Sequence, residues 1–353
     1  MAISNIENVN IEAIAACVPK TVINNYEFGK ELYGDKLNSL INSTGMVQRH
    51  VCGDESITTL DLCVKSANAL FESFSISPDK IGAIVFVTLT PDSLMPNNAS
   101  SAQALLKIPG NIPCFDINHA CSGYIYGLWV SSLVARSIGK HVLLLDGDTN
   151  SFYVSPFDKS TAILFGDAGT ATILNPEGNF SKWAFDFKTD GSLRKFLQIP
   201  GLGFREKISH GSLEYQKYAD GSQRRRIDME MDGAVVFNYV VSDVYQYLKA
   251  FMDEIETVPQ DYAYAVFHQA NAFMLRQLAR KLGFAPSQVP MSMGKYGNTS
   301  SASIPLNICS ELRNQLGSSD SKRLLLSGFG AGFAYGAVDL EISNLKSFDI
   351  IEY

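Results

Sequence analysis

The stretch PCFDINHACSGYIYG, Pro113 to Gly127, decides how the rest of the chain is read. Its first half, Cys114-Phe115-Asp116-Ile117-Asn118, alternates like a short strand. Its second half sets apolar residues at helical spacing: Tyr124, Leu128, Val130, Leu133 and Val134. A strand that turns abruptly into a helix leaves the residue at the turn beside unpaired N–H groups and the positive end of the helix dipole. That residue is Cys121. A thiol so placed tends toward its thiolate, the form that attacks carbonyls. The small residues Ala120, Ser122 and Gly123 leave room for a substrate beside the sulfur. On this pattern alone, a buried structural cysteine remains an open alternative.

Outward from that stretch, the chain alternates strands and helices. Before it, strands are expected at Val9 to Ala16 and Ile81 to Leu89, and helices at Asn24 to Leu32, from Leu37 to a break at Gly45, at Thr58 to Phe74 and at Ala99 to Leu106. The run IGAIVFVTL is continuously apolar, as in a sheet covered on both faces. After it come strands at His141 to Asp146 and Ala168 to Leu174. Past Pro176-Glu177-Gly178-Asn179 the pattern restarts. Strands are expected at Lys182 to Lys188, Arg226 to Met229, Ala263 to His268, Arg323 to Ser327 and Ala334 to Ile342. Helices are expected at Asp232 to Ile255, Asn271 to Leu282 and Ser301 to Leu316, with a Gly-rich excursion over Leu193 to Gln223. Both parts end on a Gly-rich approach to a last strand, FGDAGTATIL and FGAGFAYGAVDL. The reading is an α/β chain of two related halves, 1–178 and 179–353, packed as one unit.

Composition narrows the function classes. The chain has 353 residues, 18% charged and 46% hydrophobic, with a net charge of -7. That fits a compact enzyme-like globule with a buried oligomer interface and not a disordered chain. No basic stripe for nucleic acid is evident, and Arg224-Arg225-Arg226 is flanked by Asp220, Asp228 and Glu230. That cluster reads as a solvated edge, with contact to a phosphate-bearing cofactor arm as the other option. The six cysteines, Cys17, Cys52, Cys63, Cys114, Cys121 and Cys309, form no framework, so a reducing cytoplasm is expected. No signal peptide and no apolar run long enough for a membrane helix is found. The His and Cys residues show no ligand spacing, so no metal site is expected.

Two further stretches bear on Cys121. His268 ends the apolar strand YAVFH, and strand ends line the ligand crevice in α/β folds. Position alone leaves it either catalytic or a packed strand-end histidine. Asn298 lies in GKYGNTSSA, just before a helix of small residues, where an ordinary helix cap explains it equally well.

Together the three stretches resemble the thiolase superfamily, and within it the β-ketoacyl-acyl-carrier-protein synthase III family. DINHACSGY matches the nucleophile motif, HQAN the histidine motif and YGNTSSASIP the asparagine motif. IEAIAACVPKTVINN, TPDSLMPN, FGDAGTATIL, MDGAVVF and FGAGFAYG match in the same order, over nearly the whole length. The resemblance implies a thiolase-like five-layer αβαβα fold from two duplicated halves, a homodimer, and no cofactor beyond thioester substrates. It implies Cys121, His268 and Asn298 as a catalytic triad, with an oxyanion hole from the N–H groups of Cys121 and Gly332. The implied reaction is acylation of Cys121, then decarboxylative condensation with a malonyl thioester on acyl carrier protein. Leu94, Met95, Phe165 and Phe333 are expected at the acyl pocket, with the loop Pro91 to Asn98 crossing the dimer interface. Arg276, Arg280 and Lys281 are expected to meet the acidic carrier protein.

The chain departs from the family at the entrance. Where the family's WIxxRTG segment has Trp and Arg to grip coenzyme A, this chain has Ser39 and Ser43. Where HQANLR places an Arg, Phe273 stands. Coenzyme A is therefore expected to be a poor donor. Two rival readings keep the fold: acyl transfer to an alcohol or amine, and a non-catalytic subunit of a heterodimer. Asn298 favours condensation over the first, and the retained triad argues against the second. A relative making 3-hydroxy-3-methylglutaryl thioester would need a Glu where TPDSLMPN has none, so that reading is set aside.

Overall fold

The computed structural model describes residues 2–53, 56–177 and 182–353. The junction expected at 178/179 lies outside the described residues. Eleven strands matter here: β1 (Ser4–Ile6), β2 (Asn10–Val18), β3 (Ile81–Val87), β4 (Cys114–Ile117), β5 (His141–Asp148), β6 (Ala168–Asn175), β7 (Trp183–Thr189), β8 (Tyr264–Phe267), β9 (Lys322–Gly330), β10 (Ala334–Ile342) and β11 (Ile351–Glu352). They form two sheets, ordered β11-β2-β6-β5-β3-β4 and β1-β7-β10-β9-β8.

The repeat expected from the sequence is visible in this order. In chain order the first sheet's β2, β3, β5 and β6 lie as first-fourth-third-second, and β7, β8, β9 and β10 lie the same way. The pairing senses also agree: antiparallel, antiparallel, then parallel in both sheets. The ends of the chain are exchanged. β1 pairs with β7 of the second sheet, and β11 with β2 of the first. One cut of the chain near 178 therefore does not separate the sheets.

Two helices lie between the sheets, and both start at the site described below. The helix Gly123–Ile138 touches β3 and β5 on one side and β9 and β10 on the other. The helix beginning Ser303–Asn307 touches β2, β6 and β8. The core between the sheets joins Tyr124, Ile125 and Leu128 to Val87, Leu144, Ile304, Leu326 and Val338, all buried. Each such side chain contributes roughly 1.5–3 kcal/mol by leaving water. Outside, Thr59–Phe74 covers the first sheet, entered through a capping box between Thr58 and Asp61. The helices Tyr245–Glu254 and Ala272–Leu282 pack with the second sheet's outer core. The result is five layers, αβαβα.

Three local expectations differ. Arg226 to Met229 is a turn, and only Gln223–Arg224 and Glu230–Met231 pair as short strands. Acidic partners pull the backbone out of line there: Arg225 binds Asp228 at 2.7 Å, and Arg226 binds Glu206 at 2.9 Å and Glu230 at 2.6 Å. The helix expected over Asn24 to Leu32 is split at Gly29, where a Cβ would stand 2.5 Å from Leu37 Cδ1. The long helices from Gly233 and from Ser303 each carry a π-turn, Val240–Val244 and Ile308–Leu312.

Candidate active site

Cys121 sits in the turn between β4 and the helix Gly123–Ile138, two residues before the first helical residue. The Gly123 N–H closes the turn on Ala120 O at 2.6 Å. A Cβ at Gly123 would stand 2.5 Å from Val87 Cγ1, so only glycine lets the helix start this close to β3. Cys121 is only 7% exposed. Burial pushes its thiol up to about 12, against the pull of the Ser300 hydroxyl and of the N–H groups of Cys121 and Ala331. The thiolate expected from helix position is thus not the resting form: loss of water outweighs the helix end.

His268 follows β8 directly, and its N–H extends the ladder to Ser327 O at 2.9 Å. Its Nδ1 meets Ser303 Oγ at 2.7 Å, and its ring stands edge-on to Phe329 at 5.6 Å. It is 2% exposed, and burial holds its pKa down at about 3, so the ring is neutral. Asn298 is pinned by its backbone: its N–H donates to Leu164 O at 2.8 Å, and its carbonyl accepts from Gly166 N–H at 3.0 Å. Its Oδ1 accepts the Ser300 N–H at 2.9 Å. That bond is the local cap expected of Asn. It also orients the amide, committing the oxygen and leaving the NH2 as the donor end. Behind them Asp148, fully buried, accepts from Ser301 Oγ at 2.8 Å and Leu89 N–H at 2.7 Å, tying this turn to the first sheet.

Cys121, His268 and Asn298 line one cavity of about 210 Å³, with Phe165 and Phe333 also in its wall. The lining passes from these buried residues through Leu40, Val236 and Phe237, half-buried, to Lys159 and Gly233, exposed. It is thus a tunnel with one wet end. The arrangement offers a buried nucleophile, two neutral hydrogen-bond donors and an apolar wall.

Residues 115–191 match the family described as 3-oxoacyl-[acyl-carrier-protein (ACP)] synthase III, and residues 252–342 match its C-terminal counterpart. A β-ketoacyl-[acyl-carrier-protein] synthase III of Streptococcus pneumoniae is 33% identical over 94% of this chain and 98% of its own length. The chain belongs to the β-ketoacyl-acyl-carrier-protein synthase III family. The crystal structure of a 3-oxoacyl-(acyl-carrier protein) synthase from Burkholderia xenovorans LB400 superposes with a TM-score of 0.92, at 32% identity, covering 99% of both chains. The priming β-ketosynthase of the R1128 polyketide pathway, 22% identical with a TM-score of 0.79, shares the fold.

Within this synthase III framework, Gly332, Leu94 and Met95 are not among the residues that line this chain's own cavity. The second backbone N–H on the Cys121 sulfur is that of Ala331. Gly332 and Phe333 are both left-handed, at φ 79 and 48. Leu94 and Met95 do not line the cavity and stand 83% and 85% exposed. The remaining contacts could not be read from sequence. Ser300 Oγ lies 3.6 Å from Cys121 Sγ, and nothing in NTSSAS singles it out. Gly330 lies so close that a Cβ there would stand 2.5 Å from Cys121 Cβ.

The entrance carries the synthase III departures. Ser39 and Ser43 are exposed on the helix Leu37–Thr44, whose Leu40 and Thr44 line the tunnel. Lys159, the cation at the tunnel lining, is bonded to Asp220 O at 2.9 Å. Phe273 stacks on Phe237 at 5.7 Å and is 43% exposed. Arg276 and Arg280 are exposed on the same helix, three and seven residues on, and so share the face of Phe273. Lys281 turns away to Val241 O at 2.5 Å and to the Tyr245 ring at 4.3 Å. Among the described residues no group of three or more His, Cys, Asp or Glu is placed to hold a metal, and no helix is long and apolar enough to cross a membrane.

Proposed function

We propose that this protein is a condensing enzyme that joins an apolar acyl group to a malonyl thioester held on acyl carrier protein. The observation that carries this is a buried thiol sharing one apolar tunnel with two uncharged donors, His268 and Asn298. The sulfur attacks the donor thioester, the acyl group moves to Cys121, and the donor leaves as a thiol with the cysteine's proton. The N–H groups of Cys121 and Ala331 hold the oxyanion formed on the way. The malonyl thioester then loses CO2, and its thioester oxygen gathers enolate charge, which His268 and Asn298 hold by hydrogen bonds. Because the imidazole is neutral and far from titrating, it gives no proton to the carbanion. The carbanion attacks the acyl–Cys121 carbonyl, forms the carbon–carbon bond and expels the Cys121 thiolate, which takes a proton from water to return to the resting thiol. The chemistry needs no metal or cofactor.

The entrance supports a carrier-protein donor over coenzyme A. Ser39 and Ser43 provide neither a stacking face nor a cation for the nucleotide end. Arg276 and Arg280, beside the Phe237–Phe273 pair, suit an acidic carrier protein with an apolar edge. A homodimer is part of the proposal. The edge strand β4 is paired on one side only and is half-buried throughout, and the exposed Leu94 and Met95 suit a partner's tunnel better than this chain's own. We assign the duplicated halves to 1–178, with the nucleophile, and 179–353, with His268 and Asn298. A reducing cytoplasm is part of the proposal, from the scattered spacing of the six cysteines.

Intact-mass measurement against matched acyl-CoA and acyl-carrier donors tests the reading. The expected result is a single acyl adduct, lost in Cys121→Ala, formed faster from the carrier donor and discharged by malonyl carrier protein with release of CO2. Discharge by an alcohol or amine instead would replace condensation by simple acyl transfer. Absence of any adduct would remove the catalytic reading. Rapid labelling by micromolar acetyl-CoA would overturn the donor assignment.

A further inference from the structure

Ser300 reaches the proposed triad through its hydroxyl and its backbone, and its hydroxyl also meets the buried Asp148 carboxylate. Its hydroxyl is 3.6 Å from Cys121 Sγ. Its N–H donates to Asn298 Oδ1 at 2.9 Å. Its backbone also hydrogen-bonds to the His268 ring, whose Nδ1 is held by Ser303. Ser300 itself is 1% exposed and adopts φ 51, a left-handed conformation uncommon for serine. Such backbone persists only where its surroundings hold it. The neighbouring Ser301 does so, through two hydrogen bonds to the buried carboxylate of Asp148. No imidazole hydrogen bond to the sulfur accompanies these, so the hydroxyl is the one side-chain group on Sγ among the described hydrogen bonds.

We propose that Ser300 is the positioning residue of the nucleophile: its hydroxyl orients the Cys121 sulfur and stabilises charge on it during acylation, while its backbone separately holds Asn298 and His268 for decarboxylation. The proposal rests on the reading of Cys121 as the acylated residue. It divides one residue between the two half-reactions. In acylation, negative charge on sulfur must form in a site that burial makes hostile to it, and the Ser300 hydroxyl, which lies beside Sγ and is shared with Asp148, is the side-chain group that turns to donate to it. In decarboxylation the sulfur is already esterified. The hydroxyl then has no charge to meet, while the backbone N–H and carbonyl continue to fix the two enolate donors.

The two roles separate by mutation because a side-chain change leaves the backbone in place. Ser300→Ala removes the hydroxyl and keeps the Cβ. Ser300→Gly removes the hydroxyl and also relieves the left-handed strain. Single-turnover acylation and malonyl decarboxylation by the pre-acylated enzyme are measured for both variants. The expected result is a fall of about tenfold in the maximal acylation rate in both, the size of a lost hydrogen bond to a developing charge. The KM for the acyl donor should hold, and decarboxylation should slow far less. Equal losses in the two half-reactions would overturn the proposal, because a merely structural residue moves both together. A loss in one variant but not the other would also overturn it, since backbone strain and not the hydroxyl would then be responsible. A rise in KM without a fall in the maximal rate would likewise overturn it, assigning Ser300 to donor binding. Failure of the underlying reading is distinct: Cys121→Ala would then still take up the acyl group.

Discussion

The inner and outer ends of the tunnel follow opposite rules. At the inner end Cys121, His268 and Asn298 are 7%, 2% and 6% exposed, and hydrogen bonds with Ser300 and Ser303 hold them. At the outer end Ser39, Ser43, Phe273 and Arg276 are exposed, and the lysine of the lining is bonded to the Asp220 carbonyl. The inner end keeps the three residues that the resemblance implies as a triad; the outer end has Ser39, Ser43 and Phe273 where the resemblance implies Trp, Arg and Arg. Chemistry constrains the first, because decarboxylation needs two uncharged donors at one oxygen. Only the identity of the carrier constrains the second. The contrast breaks most readily at the donors. His268→Ala and Asn298→Ala should each lower malonyl decarboxylation by roughly two to three orders of magnitude, as when an oxyanion donor is removed. Acylation of Cys121, followed by intact mass, should fall by much less. Equal damage to both steps would mean that the donors support the thiol and not the enolate.

A second test probes how tightly the inner end is closed. Gly330 is extended, so its need for glycine is a matter of contact and not of φ. A Cβ there would lie 3.0 Å from Cys121 Sγ as well as 2.5 Å from its Cβ. Gly330→Ala must displace the nucleophile or the strand end that carries the Ala331 N–H. Acylation should drop by about ten- to a hundredfold, given the cost of misplacing a reacting atom by an ångström. Thermal unfolding should show the fold intact. An unchanged acylation rate would show that the sulfur moves freely and needs no such closure.

These two ends also differ in how well the sequence announces them. β3 is legible from its unbroken apolar run. The turn at Cys121 is legible because a strand period gives way to a helical one within a few residues. His268 and Asn298 gain their meaning only in three dimensions, where two half-chains bring a strand end and a turn onto one sulfur. A backbone N–H can come from any residue, so the glycines of FGAGF mark the bend, while the N–H that meets the Cys121 sulfur beside its own is that of Ala331. Ser300 was hidden for a similar reason, as one small polar residue among four, distinguished only by a left-handed φ. The thiolate expectation failed because burial cannot be weighed against a helix end before the fold is known.

The outer end can be rebuilt without touching the chemistry. Ser39→Trp with Ser43→Arg restores a stacking face and a cation on the exposed side of the helix Leu37–Thr44. With an acyl-CoA donor the KM should fall by about tenfold, the worth of one good stacking or charge contact. The maximal rate, and the KM for an acyl-carrier donor, should stay where they were. A change in the maximal rate would mean that the entrance and the inner end are coupled, and the contrast drawn above would lose its basis.

The smallest expected effect is an absence of titration. An ordinary histidine changes charge near 6.5, within the range an enzyme assay spans, whereas burial holds His268 down at about 3. Between these values the unfolded chain binds a proton that the folded chain refuses. The stability owed to His268 is therefore complete above about 6.5 and is lost as the pH falls toward 3. Its hydrogen bonding to the enolate should not change over the same interval while the fold holds. Decarboxylation by the pre-acylated enzyme should stay within about twofold from roughly pH 8 down to 5.5, while the unfolding midpoint already declines. A rate that instead fell with a midpoint near 6.5 would mean that water reaches the imidazole in the working enzyme. The inner end would then obey the same rule as the entrance, and His268 would have to be reassigned from a fixed neutral donor to a titrating base.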